Sequence, residues 1–275
     1  MIIFPNAKIN IGLRIIEKRT DGYHNLETVF YPVGWCDALE TVVKKGKTSL
    51  GLSGIPVPGR RGGDNLCIKL YEVLKKKHHL PPLAIWLQKA IPVGAGLGGG
   101  SSDAAHFMKL LNTMFMLNLT VAEMKEYVSQ LGSDCAFFIE NKPALATGRG
   151  EVTEPIDLDL GGLHIAIIYP GIVISTAEAY RLITPCAEGE SLKKLLPSTD
   201  LREWKNCVAN DFETPVIKLY PAIGAIKQKL YDMGAVYASM TGSGSAVYGI
   251  FDKEPATEQA FKAFKTWKGK LSFTA

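Results

Sequence analysis

The chain has 275 residues, of which 47% are hydrophobic and 21% charged, and its formal net charge is +4 at pH 7. These proportions exclude a disordered chain, and the length suffices for one large core or two moderate ones. No long run of Lys and Arg interleaved with aromatic residues marks a nucleic-acid surface. We therefore expect two domains, 1–155 and 156–275, and no nucleic-acid partner.

The N-terminus and the cysteines indicate a cytoplasmic protein. Met1–Pro5 lacks the charged and apolar regions of a signal peptide, and no stretch of about 18 apolar residues could span a bilayer. The five cysteines show no Cys-x-x-Cys pair and no metal-ligand spacing. We expect a reducing compartment and no membrane partner.

The predicted elements change from strands to helices along the first half of the chain. β-forming residues cluster or alternate in two predicted strands: 7–16 and 37–43. Helical spacing of apolar residues then predicts three helices: 65–77, 102–116 and 121–131. Thr120 and Glu123 have the spacing of a capping box at the start of the third helix, and Gly132 is expected to end it.

The second half of the chain mixes both element types. The predicted elements are, in order, a strand over 163–169, helices over 176–182 and 215–233, two strands around 242–244 and a helix over 255–268. Because strands and helices do not alternate regularly, an α+β fold is favoured over a doubly wound α/β fold.

A glycine-dense segment, residues 91–105, opens directly onto the second predicted helix and reads IPVGAGLGGGSSDAA. Glycines let the backbone adopt positive φ and approach an anion closely, and a helix start offers unpaired N–H groups. Ser101 or Ser102 is the expected helix cap, with Asp103 in the first turn. The segment therefore predicts a polyphosphate site.

Two common phosphate-binding motifs fit this segment poorly. A P-loop needs Lys and then Ser or Thr after its last glycine, whereas Ser101 follows the glycines directly. The dinucleotide fingerprint G-x-G-x-x-G is present, but Lys89 and Pro92 fit the buried strand that should precede it badly. The first acidic residue at the distance that this fingerprint requires is Glu123, which the capping box explains better.

The glycine segment resembles the ATP-binding motif of the GHMP small-molecule kinases, the family of galactokinase, homoserine kinase and mevalonate kinase. PNAKINIGL at 5–13 resembles the first motif of the family, and MTGSGSAVYG at 240–249 resembles its third. RTDGYH at 19–24 and GSDCAFF at 132–138 resemble the members that act on a cytidine-diphosphate methylerythritol in non-mevalonate isoprenoid synthesis. The resemblance spans nearly the whole chain.

The resemblance implies an α+β fold with an N-terminal ATP-binding domain, similar to a ribosomal RNA-binding domain, and a C-terminal ferredoxin-like domain. It implies an enzyme that uses ATP and Mg²⁺ to phosphorylate the 2-hydroxyl of the cytidine-diphosphate substrate. The ATP phosphates would contact Pro92, Val93, Gly94, Ala95, Gly96, Leu97, Gly98, Gly99, Gly100, Ser101 and Ser102. Ser101 would also face the metal ion.

Two charged residues would carry the chemistry. By the resemblance, Asp134 takes the proton of the acceptor hydroxyl, and Lys8 keeps that carboxylate ionised and steadies the hydroxyl. Position alone also allows structural roles. Asp134 after Gly-Ser could cap the next turn, and Lys8 with Asn10 could form the solvent-facing side of a strand.

The resemblance implies these substrate contacts: Asn10, Tyr23, His24, Thr176 and Tyr180. His24 would read the cytosine edge, while Tyr23 and Tyr180 would stack on the two faces of the base. Asn65 matches the adenine side of the ATP site. Position alone allows an ordinary turn at Tyr23 and His24, and a helix cap at Asn65.

Two other functions stay open on the sequence. A GHMP kinase for another acceptor, such as mevalonate or homoserine, is disfavoured by the aromatic residues expected around cytosine. A non-catalytic relative that binds nucleotide or RNA is disfavoured because Lys8, Ser101 and Asp134 occur together.

Overall fold

The structure is a computed structural model that describes residues 1–57 and 64–272. Its strands are β1 (Ile2–Ile3), β2 (Asn6–Lys18), β3 (His24–Cys36), β4 (Ala38–Val43), β5 (Ser49–Gly54), β6 (Leu83–Lys89), β7 (Ala144–Thr147), β8 (Val152–Pro155), β9 (His164–Tyr169), β10 (Tyr237–Met240), β11 (Val247–Phe251) and β12 (Lys265–Lys270).

Its helices are α1 (Leu66–His78), α2 (Gly99–Met114), α3 (Val121–Ser129), α4 (Phe137–Glu140), α5 (Thr176–Arg181), α6 (Leu192–Ser198), α7 (Trp204–Cys207), α8 (Glu213–Leu219), α9 (Pro221–Asp232) and α10 (Thr257–Ala260). Within the described residues, 3-10 helices cover Ser133–Cys135 and Leu201–Glu203. None of the helices in the described ranges has the length and apolar composition that crossing a membrane requires.

The described strands form three four-stranded sheets. The first has the order β1-β4-β6-β5, in which β5 runs parallel to β6 and the other neighbours are antiparallel. The second has the order β2-β3-β7-β8, and the third the order β10-β11-β9-β12. In the third sheet Ile167 pairs with both Tyr248 and Trp267 in antiparallel register. Mainly antiparallel sheets combined with separate helices confirm the predicted α+β class.

The chain forms two compact units that each combine distant stretches of sequence. The first unit contains Met1–Ala7, Trp35–Val93 and Gly98–Asn141, and the second contains Lys8–Gly34, Gly94–Leu97 and Lys142–Ala275. Spatial contacts rather than sequence continuity define these units. The sequence boundary between residues 155 and 156 stays a prediction.

In the first unit, α2 packs against α1 and α3. The residues of α2 that are buried include Ala104, Phe107, Met108 and Leu111. The sequence predicted that Ala104, Met108, Leu111 and Phe115 share one helix face. The first three are buried in α2 as predicted, whereas Phe115 lies just beyond the helix as its C-cap. The capping box of α3 is also confirmed, because Thr120 accepts from the Glu123 backbone N–H and Glu123 accepts from that of Thr120.

In the second unit, α9 packs against β10 and β11. Its buried residues Ile223, Ile226 and Leu230 belong to one apolar core with Met240 of β10 and Val247 of β11. This core fixes the ends of the two strands that flank residues 241–246, the turn of the third motif. The predicted strand pair around residues 242–244 is therefore confirmed.

Two predicted helices in the second half are wrong. The helix expected over 215–233 is divided into α8 and α9 at Tyr220, which has φ −129° and ψ 76°. The residue before a proline avoids helical backbone angles, and Pro221 favours the first position of a new helix. The helix expected over 255–268 is the single turn α10 followed by β12, because pairing with β9 outweighs the local pattern.

The glycine segment is preceded by a strand that the sequence did not predict. β6 ends at Lys89 and pairs with both β4 and β5. Lys89 disfavoured a buried strand because an unpaired ammonium charge is costly to bury. In the structure it is buried between the carboxylates of Asp37 and Asp103.

Candidate active site

The glycine segment leaves β6 and reaches α2 through left-handed backbone. Gly94, Gly96 and Gly98 have φ of +70°, +78° and +70°. Residues other than glycine adopt such positive φ angles only with strain. At Gly96 a Cβ would also lie 2.0 Å from the carbonyl oxygen of Thr241. These glycines are therefore required by the path of the backbone.

The helix α2 begins at Gly99, earlier than predicted, and its N-cap is Gly98. The prediction that Ser101 or Ser102 caps the helix is wrong, because both serines lie inside it. Asp103 lies beyond the first turn, which contains no acidic residue. No side chain caps α2, so its first N–H groups donate to no capping side chain. Unpaired N–H groups of this kind let a helix start bind an anion.

Gly100 is a glycine that the fold itself does not require. It is exposed at the second position of α2, its φ lies outside the left-handed region, and a Cβ would meet no atom within 4 Å. A helical glycine in open space costs stability relative to alanine. The open space beside the helix start is suited to a bound group that approaches the backbone closely.

Asp134 lies in the 3-10 helix Ser133–Cys135, half-buried, and this helix packs against α2. Gly132 does not end α3 as predicted: α3 ends at Ser129, and Gly132 is extended, with φ 175°. A Cβ on Gly132 would lie 3.6 Å from the Ser101 hydroxyl oxygen. The first unit thus brings the turn that carries Asp134 to the start of α2.

Lys8 and Asn10 are buried in the second unit, each 3% exposed. Their interpretation as a solvent-facing strand side is therefore wrong. The Lys8 ammonium donates to Asn10 Oδ1 at 2.6 Å and to the Gly96 carbonyl oxygen at 3.0 Å. It also lies 4.8 Å from the centroid of the Phe30 ring. These contacts hold the charge of Lys8 against the glycine segment.

The side-chain amide of Asn10 is engaged on both sides. Besides Lys8, its Oδ1 accepts from the Thr241 hydroxyl at 3.1 Å, and its Nδ2 donates to Thr28 at 3.0 Å. The same Thr241 oxygen lies 3.1 Å from the Gly96 carbonyl oxygen. This network suits Asn10 for orienting Lys8. Sequence reasoning missed Thr241, which lies in the third motif but in no periodic pattern.

His24 and Tyr180 meet in the second unit with stacked rings, 4.8 Å between centroids and 22° between planes. Burial, with a smaller contribution from Lys18, lowers the pKa of His24, so the neutral ring can donate one hydrogen bond and accept one. Tyr23 is 55% exposed and lies 4.7 Å below the Arg149 guanidinium. The two tyrosines therefore have different ring partners in this structure.

Two further predicted contact residues have defined local roles. Thr176 is exposed, and its hydroxyl lies 3.3 Å from that of Ser243 in the third motif. Asn65 is the N-cap of α1 and accepts a hydrogen bond from the Cys67 backbone N–H at 2.9 Å. The interpretation of Asn65 as a helix cap is confirmed.

Two family descriptions match the chain. Residues 65–142 match "GHMP kinases N terminal domain", and residues 192–269 match "GHMP kinases C terminal". A crystal structure of a 4-(cytidine 5'-diphospho)-2C-methyl-D-erythritol kinase superposes with a TM-score of 0.84 at 29% identity, covering 99% of this chain and 100% of the other. A mevalonate kinase from Methanococcus jannaschii, with a TM-score of 0.74, 13% identity and coverage of 99% and 98%, shares the fold.

Curated relatives are similar over almost the whole sequence. A 4-diphosphocytidyl-2-C-methyl-D-erythritol kinase from Bacteroides thetaiotaomicron is 50% identical over 277 residues, covering 98% of this chain and 100% of the relative. One from Bacteroides fragilis is 49% identical over 267 residues, covering 96% and 97%. Kinases of this kind use ATP. The chain therefore belongs to the GHMP kinase family, among its 4-diphosphocytidyl-2-C-methyl-D-erythritol kinases.

Proposed function

We propose that this kinase transfers the γ-phosphoryl group of ATP to the 2-hydroxyl of 4-diphosphocytidyl-2-C-methyl-D-erythritol, giving the 2-phosphate and ADP. The observation that carries the proposal is the 50% identity over 98% of the chain to a relative of that name. The proposal is tested by measuring whether the enzyme releases ADP only when this acceptor is present. We also propose a cytoplasmic location, supported by five cysteines that are all free thiols.

In this proposal the ATP phosphates lie at the start of α2. The uncapped N–H groups and the positive end of the helix dipole stabilise the phosphate oxygens. Mg²⁺ commonly takes few protein oxygens and keeps water and substrate phosphates as its other ligands, so the Ser101 hydroxyl on the first turn fits it. A magnesium ion there would spread the charge that develops on the transferred group.

The acceptor hydroxyl needs a group that takes its proton as the new phosphorus–oxygen bond forms. We assign this role to Asp134, whose half-buried turn adjoins Ser101. Lys8 is assigned to stabilising the ionised carboxylate and the reacting oxygen, since its ammonium is held in one orientation by Asn10 and by the Gly96 carbonyl. Asn10 then acts as a positioning residue for Lys8.

Gly100→Ala separates the phosphate role of the glycine segment from its folding. The added methyl group meets no protein atom, and alanine favours a helix over glycine by up to about 1 kcal/mol. We expect an unchanged or higher Tm, but a KM for ATP raised about tenfold, because the methyl group occupies space beside the phosphates. Thermal unfolding and steady-state kinetics measure both effects.

The matched control is Gly34→Ala. A Cβ at Gly34 makes only an ordinary contact, 3.5 Å from the Trp267 ring, and its φ is also not left-handed. This variant should keep the KM for ATP. Wild-type ATP affinity in Gly100→Ala would mean that the phosphates do not approach this turn.

Cytosine recognition divides into stacking and edge recognition. Tyr180→Ala should raise the KM of the cytidine substrate by the loss of about 1–3 kcal/mol of stacking, or roughly tenfold to a hundredfold. Tyr180→Phe keeps the ring and is the control. His24→Ala should narrow the difference in kcat/KM between cytidine- and uridine-linked substrates, because it removes the hydrogen-bonding edge. Since the His24 ring stacks on Tyr180, this variant should also raise the KM of both substrates. Unchanged values for both variants would place the pyrimidine elsewhere.

A further inference from the structure

A buried charge cluster lies beside the glycine segment in the first unit. Lys89 at the end of β6, Asp37 before β4 and Asp103 in α2 are only 4%, 1% and 3% exposed. The Lys89 ammonium bonds to Asp37 Oδ2 and, at 2.7 Å, to Asp103 Oδ2. We propose that this cluster is a clamp that positions the glycine segment for ATP, a proposal that rests on the phosphate role of α2.

The clamp holds the entry to the segment through Asp37. While one oxygen of this carboxylate binds Lys89, the other accepts from the backbone N–H groups of Ala90 and of Ile91, the latter at 2.9 Å. These are the residues at which the chain leaves β6. A single side chain therefore fixes both the backbone direction at the entry and the position of the ammonium.

The clamp holds the exit through Asp103. A Cβ on Gly99, the first residue of α2, would lie 2.9 Å from Ile91 and 3.4 Å from the Lys89 ammonium nitrogen. The first turn of the helix thus packs directly on the clamp. Because no side chain caps α2, the ion pair from Lys89 to Asp103 supplies an attachment that the helix start itself lacks.

The electrostatics of the cluster favour positioning over stability as its role. Burial raises the pKa of Asp103, opposed by the Lys89 ammonium and supported by the Asp37 carboxylate. Asp103 Oδ1 is buried without a hydrogen-bond partner in the described part of the chain. Buried ions with an unsatisfied oxygen carry a large desolvation cost, and apolar groups of similar volume are often equally stabilising. The ion pairs of the cluster therefore contribute a fixed geometry rather than additional stability.

Asp103→Ala is the sharpest variant, because it removes the attachment to the helix and leaves Lys89 paired with Asp37. We expect a KM for ATP raised about tenfold, since small displacements of positioning groups have effects of this size or larger. The KM for the cytidine substrate should change less than about twofold, because the hydrogen bonds of the clamp reach Ala90 and Ile91 and none of the residues assigned to that substrate. Binding of a non-hydrolysable ATP analogue, followed by calorimetry, should weaken by the same factor as the KM rises.

Two comparison variants distinguish positioning from a structural role. Asp103→Asn keeps an oxygen that can accept from Lys89 and should restore most of the ATP affinity. Ile226→Ala removes apolar contacts in the core of the second unit, so it lowers the Tm without touching the clamp. It should keep both KM values in the folded enzyme.

The proposal is overturned if Asp103→Ala binds the ATP analogue as tightly as the wild type. It is also overturned if Ile226→Ala weakens binding of the analogue as much as Asp103→Ala does. Gly100→Ala keeps this outcome separate from the proposed function. If Gly100→Ala weakens ATP and Asp103→Ala does not, the clamp fails while the phosphate role of α2 stands. If neither variant weakens ATP binding, the phosphate role itself is wrong.

A second variant keeps the test possible if Asp103→Ala does not fold. Lys89→Arg retains the charge but displaces it, and the same results are expected for it.

Discussion

Asp134→Asn is expected to lower kcat by about 10²–10⁴, the range contributed by general acid–base catalysis, with little change in ATP binding. The amide nearly preserves the size of the carboxylate but cannot take a proton from the acceptor hydroxyl. Because the turn that carries Asp134 contacts the start of α2, ATP affinity must be measured separately, with a non-hydrolysable analogue. Single-turnover kinetics then locates the defect in the chemical step.

The control for Asp134→Asn is Asp157→Asn, which makes the same chemical change at an exposed position. It should keep wild-type kcat. If Asp134→Asn also kept most of its kcat, Asp134 would have no part in proton transfer, and the interpretation of this residue as a turn former would be sufficient.

Lys8→Met is expected to lower kcat by a factor similar to Asp134→Asn, again about 10²–10⁴. Methionine fills most of the space of the lysine stem but removes the ammonium that now donates to Asn10 Oδ1 and to the Gly96 carbonyl oxygen. Since Gly96 belongs to the glycine segment, a moderate rise in the KM for ATP should accompany the loss of kcat. Steady-state kinetics with each substrate varied in turn measures both.

The double variant of Lys8 and Asp134 tests whether the two residues act in one step. Residues that work as a unit lose nearly the whole effect with the first substitution, so the double variant should be little slower than either single variant. Multiplicative losses would show that Lys8 and Asp134 serve separate steps. Lys8→Arg is a useful companion, because it retains the charge and changes its geometry.

Local signals predicted those parts of the fold that local interactions determine. The capping box of Thr120 and Glu123 gave the start of α3, and helical periodicity gave the buried face of α2. β12 was missed because its strand conformation comes from pairing with β9, a contact distant in sequence. The start of α2 was misplaced because Gly98 takes the cap position and the expected serine cap is absent.

The candidate site also combines features that local motifs predict with contacts that only the fold creates. The motifs identified Lys8, the glycine segment and Asp134 as important, but the sequence could not show that Lys8 is buried or that Asn10 and Thr241 orient it. Lys89 was interpreted as incompatible with a buried strand, because its compensating carboxylates lie at distant positions in the sequence. Only the fold reveals such pairings, since charge compensation leaves no local pattern.

The most direct test of the account is the acceptor dependence of ADP release by the wild-type enzyme. With ATP and Mg²⁺ saturating, a coupled assay should be run with 4-diphosphocytidyl-2-C-methyl-D-erythritol, its uridine-linked analogue, mevalonate and homoserine, and phosphorus NMR should locate the new phosphate. The account predicts the highest kcat/KM for the cytidine substrate, a phosphate on its 2-hydroxyl, and no turnover of mevalonate or homoserine. Equal or faster turnover of either of those alcohols, or ADP release without any acceptor dependence, would contradict it.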